Sequence, residues 1–225
     1  VGRVGENGSW HTPPIAGVRH KVQVFPDPDC PLLPATVEEP TPARGEDPVG
    51  VGVNLAPAAV VHGKLVDDRG WPVRGGVVRV LPPADAAPDD PAYSARGVTD
   101  ADGRYSLVAP AGKGVLIAYG PTPGYVARPV AGDRPSAETL RPRVYAHASA
   151  AVELKAGDRH AAPRLTLTHG ATVTVRVADV GDRPVESGWL ACRCQADPER
   201  PGAVALLPVT GGVAKVPGCD PGRDY

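Results

Sequence analysis

The sequence predicts an all-β protein built from repeated β-sandwich units. The chain contains 28 Pro and 27 Gly among 225 residues, which is close to the level at which turns and loops dominate a structure. Apolar residues nevertheless make up 42% of the chain, and valine supplies many of them in short alternating runs that are typical of strands joined by tight turns. No segment of helical length combines a 3.6-residue apolar period with freedom from Pro, Gly and β-branched clusters.

The third observation is an internal repeat. Residues 55–73 align without a gap with residues 167–185, so that Asp67 recurs as Asp179 after 112 positions. A spacing of this length is domain-sized, whereas the units of solenoid proteins are only about 20–50 residues long. The alignment predicts one complete sandwich at 57–168. It also predicts that 1–56 is the C-terminal part of a preceding repeat and that 169–225 is the N-terminal part of a following one, in a segment of a longer protein.

The elements of the complete unit follow from its alternation and its turn residues. Strands are predicted at residues 60–66, 77–81, 104–108 and 115–119, with weaker strands at 125–130, 151–154 and 165–167. Turn residues at 67–70 and a loop rich in Pro, Asp and Ala at 82–91 separate the first strands. Side chains that alternate toward one face are candidates for the core: Val60, Leu65, Val78, Val80, Tyr105, Leu107 and Leu116.

The flanks match pieces of this unit. Residues 8–17 and 21–25 parallel 103–112 and 115–119, and Gly212–218 repeats the strand that starts at Gly103. At the second strand Trp189 takes the place of Val77, and we expect its side chain to lie in the core.

The segment Asp100-Ala-Asp-Gly103 predicts a hairpin turn. Asp100 and Asp102 would accept hydrogen bonds from nearby backbone N–H groups, and Gly103 would adopt a positive φ. A calcium loop is disfavoured, because it needs an oxygen at its fifth position and a carboxylate at its twelfth, where this chain has Arg104 and Ala111. The sequence therefore predicts a structural turn and no metal site.

Residues 63–80 together with 99–107 and 110–112 resemble the carboxypeptidase regulatory-like domain. The resemblance is good over 58–120 and looser to 168. It implies a Greek-key, prealbumin-like β-sandwich, grouped with the carbohydrate-binding-like folds, in tandem modules of which one is complete and two are truncated. It also implies a non-catalytic stability or adhesion module in a large bacterial surface protein.

Charge and motifs exclude several functions. The net charge is −1 and no basic stripe exists to follow a nucleic-acid backbone. No apolar stretch is long enough to span a bilayer. The sequence contains no nucleophile elbow, metalloprotease motif or phosphate-binding loop, so we predict no enzyme and no cofactor. The six histidines stand at no catalytic spacing and are expected at the surface or at strand ends.

The four cysteines, Cys30, Cys192, Cys194 and Cys219, are too few and too uneven for a disulfide framework. Cys192 and Cys194 share one face of a predicted strand, and a bond from one of them to Cys219 stays open. The alternative is that these thiols are small buried apolar side chains.

The function predicted for the chain is an extracytoplasmic (cell-surface, periplasmic or secreted) array of spacer or adhesion modules. Its expected partners are neighbouring repeats of the same chain and a glycan or another surface protein. The alternative function is carbohydrate binding, with Trp71, Tyr93 and Tyr125 as stacking platforms. A third possibility is an accessory role beside an enzyme or sensor domain outside this segment, which the parent reading frame would reveal.

Overall fold

The computed structural model describes residues 20–27, 30–39, 52–83, 86, 90–130, 144–192 and 205–222. These residues form sixteen strands and one 3₁₀ turn, Pro91–Tyr93, so the protein is all-β as predicted. The strands are β1 (His20–Val24), β2 (Ala35–Glu39), β3 (Ala59–Asp67), β4 (Val77–Leu81), β5 (Arg96–Val98), β6 (Arg104–Ala109), β7 (Gly112–Tyr119), β8 (Arg128–Pro129), β9 (Tyr145–Ala146), β10 (Ala148–Leu154), β11 (Arg159–Ala161), β12 (Leu165–Leu167), β13 (Ala171–Arg176), β14 (Ser187–Cys192), β15 (Ala205–Thr210) and β16 (Val213–Cys219).

Strands β3–β7 and β10–β12 form a sandwich of two sheets, here called the central sandwich. One sheet has the antiparallel order β10-β7-β4-β5. In the other, β3 pairs with β6 on one side and with β11 and β12, both parallel to it, on the other. The parallel pairing of β11 and β12 with β3 was not predicted.

The core lies between these sheets, because the apolar positions of their strands alternate inward. On β4, Val78 and Val80 are buried, whereas the residues that alternate with them, Val77, Arg79 and Leu81, are half-buried. All seven residues expected in the core are buried at 5% exposure or less: Val60, Leu65, Val78, Val80, Tyr105, Leu107 and Leu116. Six of them lie between the sheets, whereas Val60 packs with Ala58 and Val108 in a separate cluster.

Strands β13–β16 form one further antiparallel sheet, in the order β13-β16-β15-β14, here called the C-terminal sheet. Its inner face is incompletely covered: Val173 is 39% exposed, whereas Val61, at the equivalent position of the repeat, is fully buried. The expectation that Trp189 lies in the core is wrong. The residue points to the outer face of β14 and is 70% exposed. It is equivalent to Val77, whose side chain also points away from the core, since it alternates with the buried Val78 and Val80.

The N-terminal residues contribute the antiparallel pair β1–β2. This hairpin is joined to the central sandwich by the bridge between Leu32 and Pro57 and by a 2.8 Å bond from the N–H of Leu33 to the carbonyl of Ala56. The predicted match at 8–17 lies outside the described residues. In the part of the chain that the structure describes, no helix is long and apolar enough to cross a membrane.

The sequence repeat is also present in the backbone hydrogen bonds. At the turn after β3 and at the turn after β13, equivalent N–H and carbonyl groups make bonds of nearly the same length. The pairs of bonds are Asp67 N to Trp71 O (2.9 Å) and Asp179 N to Arg183 O (2.9 Å), Val73 N to Leu65 O (3.1 Å) and Val185 N to Val177 O (3.0 Å), and Leu65 N to Gly103 O (2.8 Å) and Val177 N to Gly212 O (2.8 Å).

Candidate functional site at the junction

The linker between the central sandwich and the C-terminal sheet is short, and one side of it is hydrogen-bonded to the loop that contains Gly124 and Val126. Three residues, Thr168–170, separate β12 from β13. The N–H of Val126 donates to the carbonyl of Thr168 at 2.8 Å, and the N–H of Gly170 donates to that of Gly124 at 2.9 Å. Because these bonds flank the bridge between Tyr125 and His169, the linker pairs with the loop like a short strand.

Gly218 closes the junction from the other side. It has a φ of +71°, and a Cβ built on it would lie 2.5 Å from the carbonyl oxygens of both Pro123 and Tyr125. Gly170 approaches the same glycine, since a Cβ on residue 170 would lie 2.5 Å from its carbonyl carbon. Backbone from the central sandwich, the linker and β16 therefore meets here at distances that side chains would prevent.

Four rings form a continuous series of edge-to-face and tilted contacts beside this junction, here called the stack. The ring centroids of Tyr119 and His147 are 6.1 Å apart, those of His147 and Tyr125 are 5.7 Å apart, and those of Tyr125 and His169 are 4.9 Å apart. Gly120 permits this packing, because a Cβ there would overlap the Tyr125 ring. The stack connects the core of the central sandwich to the linker.

His147 is held neutral inside this stack. Its side chain is buried, and burial lowers its pKa from 6.5 to about 4. The Nδ1 atom accepts a 2.8 Å bond from the N–H of Gly120, so the proton of the neutral ring resides on Nε2. His147 lies at a strand end, between β9 and β10, as expected of the histidines, but it is buried rather than exposed, because aromatic rings from two other segments cover it.

Two carboxylates and an imidazole meet at the outer end of the stack. Oδ1 of Asp68 lies 2.7 Å from Nδ1 of His169, and the N–H of His169 donates to Oδ2 of Asp68 at 3.1 Å. These bonds to His169, from its side chain first and its backbone second, lower the pKa of Asp68. Ligand atoms of Asp67, Asp68 and His169 all lie within 4.8 Å of one another. Burial and these two carboxylates raise the pKa of Tyr125.

The three residues predicted as stacking platforms lie in different segments and differ in exposure. Trp71 lies in the turn after β3 and is 68% exposed. Tyr125 is half-buried, and its ring packs against His147 and His169 rather than presenting an open face. Tyr93 ends the 3₁₀ turn between β4 and β5 and packs against the core.

The predicted turn at 100–103 makes two side-chain bonds to its own backbone. Oδ1 of Asp100 accepts from the N–H groups of Asp102 at 2.9 Å and Arg104 at 2.8 Å, and Gly103 has a φ of +72°. The carboxylate of Asp102 instead pairs with the Arg104 guanidinium at 3.2 Å. Asp100 therefore organises this turn, and Asp102 contributes an exposed ion pair.

A concave surface of about 550 Å³ lies over β3 and β6. Its lining includes Lys64, Arg104, Arg164 and Asp100, and it contains none of the three predicted platforms. The Tyr105 hydroxyl below it is buried without a hydrogen-bond partner among the described residues, and burial raises its pKa to about 12. This surface thus combines side chains of opposite charge above a phenol that stays protonated.

Cys30 and Cys192 form no disulfide bond within the part of the chain that the structure describes. Cys219 is buried, and its Sγ lies 3.4 Å from the carbonyl of Val216. Cys194 lies outside the described residues, so a bond from it to Cys219 stays an open prediction.

No protein-family model and no curated protein matches this chain. Its fold is similar to that of several solved structures at 13–14% sequence identity. These include the Bacillus anthracis TIE protein (14% identity over 81% of this chain and 29% of that one, TM-score 0.32), the Streptococcal ancillary pilin (13%, 89% and 62%, 0.35) and a DUF3823 family protein from Parabacteroides merdae (14%, 71% and 79%, 0.30). This chain spans 29% of the length of the first and 62% of the second.

Proposed function

We propose that this chain is part of a tandem array of β-sandwich modules that acts as a spacer or adhesive stalk. In this proposal residues 57–168 are one complete module, residues 1–56 end the module before it, and residues 169–225 begin the module after it. The array belongs to a large extracytoplasmic bacterial protein, a location that rests on the resemblance to carboxypeptidase regulatory-like domains. It needs no cofactor and performs no catalysis.

The junction supports this proposal most directly. A flexible linker would let neighbouring modules rotate freely, whereas residues 168–170 are bonded to Gly124 and Val126 and packed against Gly218. An ion pair between Arg128 and Asp220, 3.6 Å apart, spans the same joint. A stalk transmits force and stays extended when the joints between its modules are rigid. The hydrogen bonds, the packing and the ion pair at this joint hold it rigid.

The uncovered face of the C-terminal sheet supports the division into modules. In the central sandwich β7 pairs with β4 and closes the core over Val78 and Val80. Strand β14, which is the equivalent of β4 in the repeat, pairs with β15. Its inward-facing residues Leu190 and Cys192 remain half-exposed. A strand equivalent to β7 would complete a second sandwich, and it would follow the turn after β16.

Small-angle X-ray scattering of the full chain tests the spacer function. A stiff joint predicts one elongated particle whose dimensions stay unchanged between low and high salt, and Gly218→Val should make it more flexible. Gly211→Val is the matched control, because Gly211 also has a positive φ of 57° but has no atom near its Cβ position. The proposal would be contradicted if the scattering of the wild-type protein already showed that the central sandwich and the C-terminal sheet rotate freely.

Carbohydrate binding is the second candidate function, and the exposure of Trp71 favours it. An aromatic side chain exposed at 68% offers an apolar ring for a pyranose face. A glycan array with the full chain and with Trp71→Ala tests it. Trp189, which is exposed on β14, provides the control. Trp71 is the platform if glycan binding disappears in Trp71→Ala and persists in Trp189→Ala.

A further inference from the structure

Three turns in this structure share one geometry. In each, Oδ1 of a leading aspartate accepts from the N–H groups two and four residues later, at 2.8–3.0 Å. The leading residues are Asp67, Asp100 and Asp179. The turns therefore serve as internal controls for one another, and what differs among them is the side chain at the fourth following position.

Two of the three turns carry an arginine at that position. Nε of Arg183 lies 3.1 Å from Oδ2 of Asp179, and the guanidinium of Arg104 pairs with the neighbouring carboxylate of Asp102 at 3.2 Å. The first turn has Trp71 there instead, so Oδ2 of Asp67 accepts no hydrogen bond from the described residues. The position after Asp67 adds a second carboxylate, Asp68, where the equivalent turn has Val180.

The first turn thus places two carboxylates, those of Asp67 and Asp68, side by side with no arginine to neutralise them. Within the described parts of the chain, neither Asp67 nor Asp68 forms an ion pair with Lys or Arg. The group that approaches them is the imidazole of His169, which arrives from the linker 101 residues after Asp68. Backbone pairing with Tyr125 and ring contact at 4.9 Å fix that imidazole in place.

We propose that Asp67, Asp68 and His169 form a binding site for a divalent transition-metal ion such as Zn²⁺. One imidazole nitrogen with carboxylate oxygens is a donor set suited to zinc or manganese, whereas calcium and magnesium favour oxygen alone. The ion takes the place of the proton between Nδ1 of His169 and Oδ1 of Asp68, now 2.7 Å apart, and that proton leaves to solvent or to Nε2. The free oxygen of Asp67 is the third ligand, and water completes the coordination.

The distances require small movements. Tetrahedral bonds of about 2.0–2.2 Å to zinc place ligand atoms roughly 3.3–3.6 Å apart. At present Oδ1 of Asp68 and Nδ1 of His169 are 2.7 Å apart, and all three ligand atoms lie within 4.8 Å of one another. Both aspartates lie in an exposed turn, so rotations of their side chains can close this difference. Since Asp67 and Asp68 belong to the central sandwich and His169 to the linker, the bound ion would fasten the joint. The site itself does not depend on the function proposed for the array.

Zinc titration of the full chain by NMR tests this proposal. The ¹H–¹⁵N correlations of the histidine rings report each imidazole separately, so zinc on the cysteines is distinguished from zinc on His169. We expect the His169 nitrogens to shift saturably and the change to reverse with a chelator. Asp68→Asn and His169→Gln should weaken binding by at least about tenfold, and Asp179→Asn, in the equivalent turn, should not.

Two outcomes would overturn the site. His169 signals that stay unchanged at millimolar Zn²⁺ would exclude it, as would equal affinity in the wild-type protein and in Asp68→Asn. Because Asp68 is exposed and Asn preserves its shape, this variant is expected to fold, which its amide spectrum checks. Manganese provides a second probe with little preference for thiolates, and it should broaden the amide signals of residues 67–71 and 168–170. Broadening elsewhere alone would count against the proposal.

Discussion

The backbone of Gly218 in β16 lies against the carbonyl oxygen of Tyr125, which belongs to a loop of the central sandwich. A Cβ at residue 218 would come within 2.5 Å of that oxygen. The contact joins two parts of the chain that are 93 positions apart, and together with the pairing of Tyr125 and His169 it fixes the C-terminal sheet at the end of the linker.

Gly218→Ala should therefore destabilise the C-terminal sheet more than an ordinary substitution at a positive φ. The strain of a left-handed residue costs on the order of 1–3 kcal/mol, and the overlap with two carbonyl oxygens should add about 1–3 kcal/mol. Gly211→Ala carries the first cost without the second, because its Cβ would meet open space. Urea unfolding compares them by tryptophan fluorescence, in a background with Trp10→Phe and Trp71→Phe that leaves Trp189 as the reporter. Equal midpoints would show that the close approach is unimportant.

The buried His147 should make stability depend on pH. Its pKa is about 4 in the folded protein and 6.5 in its ordinary state, so the unfolded chain binds more protons between these values. The stabilisation is complete above pH 6.5 and is lost as the pH falls toward 4, by an amount on the order of 3 kcal/mol.

His147→Gln tests this dependence, because a glutamine oxygen can still accept from the N–H of Gly120 while it does not titrate. The unfolding free energy of the variant should vary less between pH 4.5 and pH 6.5 than that of the wild-type protein. His62→Gln, on the exposed side of β3, is the control and should retain the full slope. A slope that His147→Gln leaves unaltered would mean that the ring is accessible to protons.

Gly103→Ala should be costly, whereas Gly70→Ala should cost only backbone strain. Both glycines have positive φ, +72° and +83°. A Cβ on Gly103 would collide with the carbonyl oxygen of Leu65, while one on Gly70 would meet no atom. Thermal unfolding should show the larger decrease for Gly103→Ala. Gly70→Asp should be tolerated still better, because Asp182 occupies the equivalent position at a φ of +62°.

Asp100→Ala should cost more than Asp102→Ala. The first removes the acceptor of two backbone bonds, worth about 1 kcal/mol. The second removes an exposed ion pair with Arg104, and such pairs contribute little. Adding calcium should shift neither melting midpoint. A midpoint that rises with calcium in the wild-type protein alone would make this turn a metal site.

The local features of this fold could be predicted from sequence, because each depends on residues close together in the chain. The alternation of Val78 and Val80 places β4 with its correct face inward, and Asp100 and Gly103 identify a turn whose hydrogen bonds span four residues. Features that depend on distant segments could not be predicted. The burial of His147 comes from Tyr119 and Tyr125, and the pairing of β11 and β12 with β3 joins residues about 100 positions apart.

The candidate site at the junction could not be predicted for the same reason, because it depends on segments that are distant in the chain. Asp68 and His169 carry no local signal, since 101 residues separate them and each is an ordinary polar residue in its own segment. Comparison of the two turns does contain a hint, because the arginine at 183 is replaced by a tryptophan at 71. Trp189 shows the opposite case: its place on a predicted strand suggested burial, but its register placed it outside.

The fixed joint between the central sandwich and the C-terminal sheet is tested most directly by a distance distribution. Spin labels on Ser149 and Lys215, both exposed, in a variant without the native cysteines, report that distribution by double electron–electron resonance. We predict a single narrow distribution that broadens in Gly218→Val and not in Gly211→Val. A broad distribution in the wild-type background would contradict the account, because it would mean that the two parts move independently.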